Sequence, residues 1–423
     1  MTSTELAPTT GHTAPVRHRR AEPDVLTATG ERISASAARK LRESVPRNSR
    51  DARSSRWSSY SQWCAIYGWA TDEPNAVASY LSDLGDRGHP SKTLEAHYGT
   101  IRALRAVQGS PLGEAEIKAC QMLISHRAGE EADDPLVEPG PLQADAVTLE
   151  ELRLMVRTVD RTTVRGKQVA VTLLLDWWMA GRASEPARLN LHDVKLATVR
   201  VKDEAGRKVP RRALIVKIRR SKADQKARGK EVTVFAQDDT EICPVHAAQE
   251  WLDVLADDGQ LVPGPFLRRI DRHGNIGARA AGRHTKDPNR RGGITAETVN
   301  DIIKAAASAA GLTQQVTPEE RAAAARARKE AYAAAAAADT AEEANAIIKT
   351  WRAGVRAARA AVRRITGHSM RRGWIQTALD AGTPPEIVAL HSRHSLKSSA
   401  FDAYRRRKLP LHQNPTLTLT LAA

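Results

Sequence analysis

Between Gly129 and Pro141 the chain reads GEEADDPLVEPGP, an acidic stretch dense in proline and glycine and unlike the sequence on either side of it. Such a composition makes a linker rather than a core element, so the chain divides there into separately folding parts. Thr148, with Glu151 three residues on, has the form of a capping box and sets the start of the second part near residue 148. The 423 residues are enough for two or three domains of about 100 to 200 residues each, at least one with a sizeable core.

Ahead of the linker (residues 128 to 147), residues 1 to 32 carry threonine, proline, glycine and a basic run from Arg17 to Arg20, which predicts a disordered basic arm. From 33 to 127 the pattern is helical. Trp57, Tyr60, Cys64 and Tyr67 recur at spacings of three and four, which puts them on one face as a core stripe. Pro90 and Ser91 open a further helix, whose Lys92, Arg102 and Arg105 are candidates to face phosphates.

Beyond the linker, a very apolar helix holds Trp177 and Trp178. The stretch from Ala213 to Arg219 then alternates as a strand, and Glu231 to Phe235 reads as its partner. The joining loop, RRSKADQKARGKE, is crowded with cations and turns near Gly229. A helix from about Thr295 to Ala310 ends at Gly311. Residues 316 to 364 form an alanine-rich segment opening on Thr317-Pro318-Glu319-Glu320 and restarting at Asp339-Thr340, which predicts a helical hairpin. Alanine favours helix but offers little to bury, so this pair should be weakly anchored or lean on a partner.

Sixty-five Lys and Arg against 49 Asp and Glu leave a net charge of +16, which favours a polyanionic partner, nucleic acid first. No run approaches the roughly 20 apolar residues that span a bilayer, and the N-terminus lacks an apolar signal core, so a cytoplasmic protein with no membrane partner is expected. Cys64, Cys120 and Cys243 are far apart and form neither a disulfide framework nor a zinc pattern; buried thiols are expected.

The chemistry gathers near the C-terminus, where His368-Ser369-Met370-Arg371 precedes a helix, a turn at Gly382, a second short helix to Leu390, then His394 and Tyr404. An H-x-x-R pair alone says little in an arginine-rich chain. Upstream, Arg182 stands at the junction of the apolar helix and an expected amphipathic one, three residues from Glu185 on the same face. That pair alone would be a surface ion pair worth at most about 1 kcal/mol. Tyr332, the other tyrosine of this region, lies in the alanine-rich segment without such neighbours.

In order and spacing these residues resemble the tyrosine recombinase family, also called phage integrases. Arg182 with Ser184-Glu185 looks like the family's first arginine motif, His368 and Arg371 like its H-x-x-R box, and Gly382 falls in the turn between its next two helices. His394, twenty-three residues after Arg371, falls at its second histidine, with His391 a competitor, and Tyr404 falls at its nucleophile. Lys222, in Ser221-Lys222-Ala223-Asp224-Gln225, is similar in position to its hairpin lysine, with Lys226 and Lys230 as rivals. The resemblance spans about 35 to 405, leaving out the alanine-rich segment, and is strongest over the last forty residues. One residue more than usual separates His394 from Tyr404.

The resemblance implies a mainly α fold with a small antiparallel β-sheet. A helical core-binding domain would occupy 33 to 127, and a tyrosine-recombinase-like catalytic domain 148 to 410, with 316 to 364 inserted. The tail, 411 to 423, would dock on a neighbouring subunit of a homotetramer. The partner would be double-stranded DNA with a specific recombination site, and neither metal nor cofactor is called for. Arg182 and Arg371 would clamp a phosphate, Glu185 would support Arg182, His368 would move the tyrosine's proton, His394 would bind a phosphate oxygen and Lys222 would protonate the leaving oxygen. A type IB topoisomerase, or a DNA-binding accessory protein without catalysis, are the rival readings.

Overall fold

The structure, a computed structural model, describes residues 24–26, 32–45, 47–133, 144–203, 205–219, 229–282, 290–314, 316–396, 398, 401–402 and 404. The basic run at Arg17, the middle half of the linker (134–143), Lys222, Lys226 and the tail 411 to 423 lie outside them. Two compact units emerge, one made of residues 1–141 and 322–358, the other of 142–321 and 359–423. Among the described residues no helix is long and apolar enough to cross a membrane.

Two short strands, β1 (Asp24–Leu26) and β2 (Arg32–Ser34), pair antiparallel with Val25 opposite Ile33; β1 lies within the stretch expected to be a disordered arm and β2 begins at its last residue. Helices α1 (Ala35–Ser44), α2 (Arg47–Tyr67), α3 (Ala76–Asp86), α4 (Ser91–Val107) and α5 (Glu114–Asp133) follow. Their core comprises Tyr60, Trp63, Cys64, Tyr80, Leu81, Leu94, Ile101 and Cys120. Tyr67 was expected in this stripe but is exposed, because the helix turns Trp63 inward beside Tyr60 and Cys64. All three cysteines are buried and free.

The second unit begins with α6 (Leu149–Arg157), whose Thr148–Glu151 capping box forms in full. Next comes α7 (Val164–Trp178), its start capped by the Thr163 hydroxyl on Gly166 N–H. Antiparallel strands β3 (Val194–Lys202), β4 (Lys208–Ile218) and β5 (Lys230–Phe235) lie in sequence order. The pairing of β4 with β5 was legible in the sequence; the third strand, β3, was not. Leu214, Val216 and Ile218 alternate inward and meet the core with Val232 and Val234. Then follow α8 (Pro244–Asp257), α9 (Ala296–Ala309), α10 (Pro318–Ala336), α11 (Ala341–Ala360), α12 (Gly367–Asp380) and α13 (Pro385–Ser392). The fold is thus mostly helical with one small three-stranded antiparallel sheet.

Helix α7 is the axis of this unit: Leu173, Leu174, Leu175 and Trp177 are buried, and its indoles are satisfied by backbone carbonyls. Trp177 Nε1 donates to Val147 O at 2.9 Å and Trp178 Nε1 to Ile242 O at 2.9 Å. An unpaired buried donor would cost about 1–3 kcal/mol, so these bonds fix the register of α7 against its neighbours. At the start of α12, a Cβ on Gly367 would lie 2.8 Å from Ala183 Cβ. Glycine at that position lets the α12 N-terminus lie directly against the segment carrying Arg182.

The alanine-rich hairpin behaves as its composition predicts. Helix α10 buries no residue, whereas α11 buries Ile348 and packs on the α3–α4 turn. There Arg87 Nε donates to Asn345 Oδ1 at 3.1 Å, and Asn345 Nδ2 donates to Asp83 Oδ1 at 3.4 Å. Residues 322–358 therefore cluster with the N-terminal helices rather than with the sequence on either side of them.

Candidate active site

The site is built where the ends of α7 and α13 meet the start of α12. Beyond α7 the backbone turns sharply: Ala180 takes a left-handed conformation, φ 47°, and Gly181 N–H donates to Asp176 O at 2.7 Å. A Cβ on Gly181 would stand 2.3 Å from Asp176 Oδ1, so no larger residue fits this approach. Arg182 follows, in a turn that runs into a short 3-10 segment at Pro186–Arg188. The amphipathic helix expected here does not form, since the turn at Gly181 and the proline at 186 break the run.

Arg182 and Glu185 nonetheless meet. Arg182 Nη1 donates to Glu185 Oε1 at 2.9 Å and its backbone N–H to Oε2 at 3.1 Å. The pair is not a surface one: Glu185 is 4 % exposed, and its Oε2 also accepts from Arg393 Nη2 at 2.6 Å. Burial works against ionisation of Glu185, but Arg393, Arg182 and Arg371 hold its carboxyl below the ordinary value.

On α12 the Thr366 hydroxyl accepts from His368 N–H, and the three-residue spacing sets His368 and Arg371 one turn apart. Arg371 is fully buried. Its Nη1 donates to Ala180 O, its Nη2 to Ser392 O, and Nη2 lies 3.2 Å from His394 Nδ1. Burial first, then Arg182 and Arg393, push its guanidinium down to about 9, which still leaves it charged at neutral pH.

Helix α13 ends at Arg393, left-handed at φ 61°, and His394 N–H donates back to Ala389 O at 2.9 Å. Ser392 Oγ holds His394 Nδ1 at 2.9 Å. Dehydration and the guanidiniums of Arg371, Arg182 and Arg393 bring His394 down to about 3, so it is neutral at pH 7. His391 is engaged elsewhere: its Nε2 lies 2.9 Å from Trp178 O and its ring stacks on Trp374 at 4.1 Å. The geometry thus brings His394, and not His391, to Arg371.

Tyr404 closes the cluster, 9 % exposed against Phe401, Ile375 and Val388, with its hydroxyl 3.5 Å from His368 Nε2. Burial raises the phenol, opposed by Arg371, Arg372 and Arg182. Burial, then Arg371, Arg182 and Arg372, lower His368, which favours the neutral imidazole beside the tyrosine. Three guanidiniums, two neutral imidazoles and a phenol in one place form a field that stabilises an anion and can take a proton from a hydroxyl.

Lys222 and Lys226 fall outside the described residues, and Lys230 opens β5 opposite Ile218. Tyr332 meets Trp351 edge to face in the alanine-rich hairpin. In the N-terminal unit, Lys92 is exposed and paired with Glu95 at 2.7 Å, and Arg102 is exposed over the Tyr98 ring. Arg105 is a correction: it is 4 % exposed and donates to Ser110 O at 2.9 Å and Asp72 O at 2.7 Å. Those carbonyls need its fork, so it ties the helical bundle together rather than facing a phosphate.

Two residues of the site escaped the sequence reading, Arg393 and Asp176. The latter carried a signal, a lone carboxylate inside an apolar run. Asp176 is 0 % exposed and both its oxygens lack a hydrogen-bond partner. Burial and the nearby Glu185 raise it to about 8 in spite of Arg371 and Arg393. Its folded value lies above the ordinary 3.8, so its contribution to stability is complete below about pH 4 and is lost as pH rises through about 8. Asp176→Asn is expected to remove that share of the pH dependence. In thermal melts from pH 5 to pH 9 the variant should lose less Tm than the parent; parallel curves would mean that the carboxyl is ionised throughout.

The cluster carries the residue types, in the order, of the tyrosine recombinase, or phage integrase, pattern that the sequence resembles. The chain's sequence is similar to the integrase/recombinase xerD homolog of Selenomonas ruminantium, 23% identical over 296 residues, covering 68% of this chain and 74% of that protein. The match bears out the resemblance read from the motifs. A solved structure, the Tn1549 transposon integrase in complex with transposon right end DNA, aligns with 92% of this chain and 98% of its own, at 11% identity and a TM-score of 0.47. No family model matches the chain.

Proposed function

We propose that this protein is a site-specific tyrosine recombinase that cleaves and rejoins duplex DNA through a 3′-phosphotyrosyl intermediate. The observation that carries the reading is the Tyr404 hydroxyl, 3.5 Å from His368 Nε2 in the cluster built on Arg371 and His394. Only roughly one free tyrosine in a thousand is phenolate at pH 7, so the hydroxyl needs a base beside it and cations around the phosphate. Neutral His368 takes the proton as Tyr404 Oη attacks phosphorus. Arg182 and Arg371 carry the non-bridging oxygens through the five-coordinate transition state, where the added charge is greatest. His394 donates to one of those oxygens.

The 5′ oxygen leaves with a proton from a lysine of the β4–β5 loop, Lys222 first among Lys222, Lys226 and Lys230. The phosphotyrosyl bond retains the energy of the diester, so attack by a 5′ hydroxyl reverses the step on the same or another strand. Side-chain cations supply the charge stabilisation in this scheme. The N-terminal helices, with Lys92 and Arg102, supply phosphate contacts on a double-stranded recombination site, mostly independent of base sequence. A homotetramer on two such sites, in the cytoplasm at the nucleoid, completes the scheme.

Paired-site recombination tests it. Exchange between two copies of the cognate site, with unrelated supercoiled plasmid left supercoiled, is the expected result. Relaxation of any supercoiled plasmid without exchange would favour a topoisomerase, and binding without cleavage an accessory DNA-binding protein.

A further inference from the structure

Among the described residues only Asn75, Ala180 and Arg393 have positive φ without being glycine. Asn75 is at a helix N-cap, and asparagine is among the residues that tolerate this region. The other two meet: Arg393 Nη2 donates to Ala180 O at 3.0 Å. Holding a side-chain-bearing residue left-handed is costly, and such costs gather where the surroundings enforce a geometry. Glycine would avoid the cost at the end of α13, but it would leave this hydrogen bond without a donor.

The Arg393 guanidinium is 3 % exposed and sits at the centre of the site's arginines. Nη1 donates to Met179 O and His391 O, both at 2.9 Å, and Nη2 donates to Glu185 Oε2 at 2.6 Å. Glu185 holds Arg182 through its other oxygen, and Ala180 O also accepts from Arg371 Nη1. Arg393 thus touches, one group removed, both arginines assigned above to the phosphate. A lysine could bring the charge but not the fork that spans carboxylate and carbonyls together.

We infer that Arg393 is a positioning residue that sets the spacing of Arg182 and Arg371, through Glu185 on one side and the Ala180 carbonyl on the other. This deepens the recombinase reading and rests on it. Misplacing a catalytic group by an ångström can cost about 10²-fold in rate, so the effect belongs on cleavage and not on DNA affinity, which many phosphate contacts share.

The test uses the full-length protein and a nicked duplex carrying the cognate site, which traps the covalent complex. Arg393→Gly, whose backbone suits φ 61°, should bind DNA within about threefold of the parent and form adduct about 10²-fold more slowly. Arg393→Lys should also be slow. In a Glu185→Gln background, where the link to Arg182 is already weakened, Arg393→Gly should add less than its full loss; full additivity would deny coupling through Glu185. Parent-like cleavage by a folded Arg393→Gly overturns the inference alone. If that variant unfolds, Arg393→Lys is judged by the same rate, and failure of both to fold assigns Arg393 to the core and overturns it as well. Tyr404→Phe is the separate control: an adduct that survives it overturns the recombinase reading itself.

Discussion

Tyr404→Phe should fold, bind the recombination site with parental affinity and form no covalent complex with DNA. Removing one oxygen from a side chain 9 % exposed leaves the packing against Phe401 and Val388 in place, and among the described residues the hydrogen bond lost is the 3.5 Å contact to His368. Stability should therefore stay within about 1 kcal/mol, because the bond is long and its partner is exposed to water. Catalysis, in contrast, has no route around the missing nucleophile. Gel-shift affinity measured beside denaturing-gel adduct formation separates the two effects. A variant that has lost binding in step with cleavage would instead make Tyr404 part of the DNA-binding surface.

Arg371→Ala should have the second largest effect, on two measurements at once. Adduct formation should fall by about 10² to 10³, the loss typical of removing one donor to a transition-state oxyanion. The protein should also melt earlier, because Ala180 O and Ser392 O lose donors and a fully buried side chain leaves a void. The stability loss is expected at about 2–4 kcal/mol by denaturant unfolding. Comparing rates at a temperature where both proteins remain folded isolates the catalytic share. A variant that melts early yet cleaves at the parental rate would show that Arg371 only holds the turn after α7.

The parts of this fold that could be read from sequence are those set by local chemistry. Thr148–Glu151 and Thr295 cap their helices by side-chain contacts made within three residues. Thr317 and Thr340 likewise accept from backbone N–H groups three residues on and mark the starts of α10 and α11. What stayed hidden depends on distant partners. β3 is matched only by its pairing with β4, and Arg105 resembles any surface cation until the carbonyls of Asp72 and Ser110 are brought to it. Arg182 and Glu185 were paired correctly on the wrong local structure, since a turn as well as a helix brings residues three apart together.

The candidate site divides in the same way. His368 and Arg371 share a helix face and so announce each other, and the spacing to His394 and Tyr404 completes the pattern. Arg393 does not announce itself. Apart from the His391 carbonyl, its partners are Met179, Ala180 and Glu185, more than two hundred positions earlier in the chain, and its left-handed backbone is a property no neighbouring residue dictates.

The most direct test is identification of the amino acid joined to DNA. Protein trapped on a nicked cognate duplex, digested with protease and nuclease, should yield by mass spectrometry a peptide with a nucleotide 3′-phosphate on Tyr404. An adduct on another residue, Tyr332 among them, or a link to a 5′ phosphate, would contradict the account.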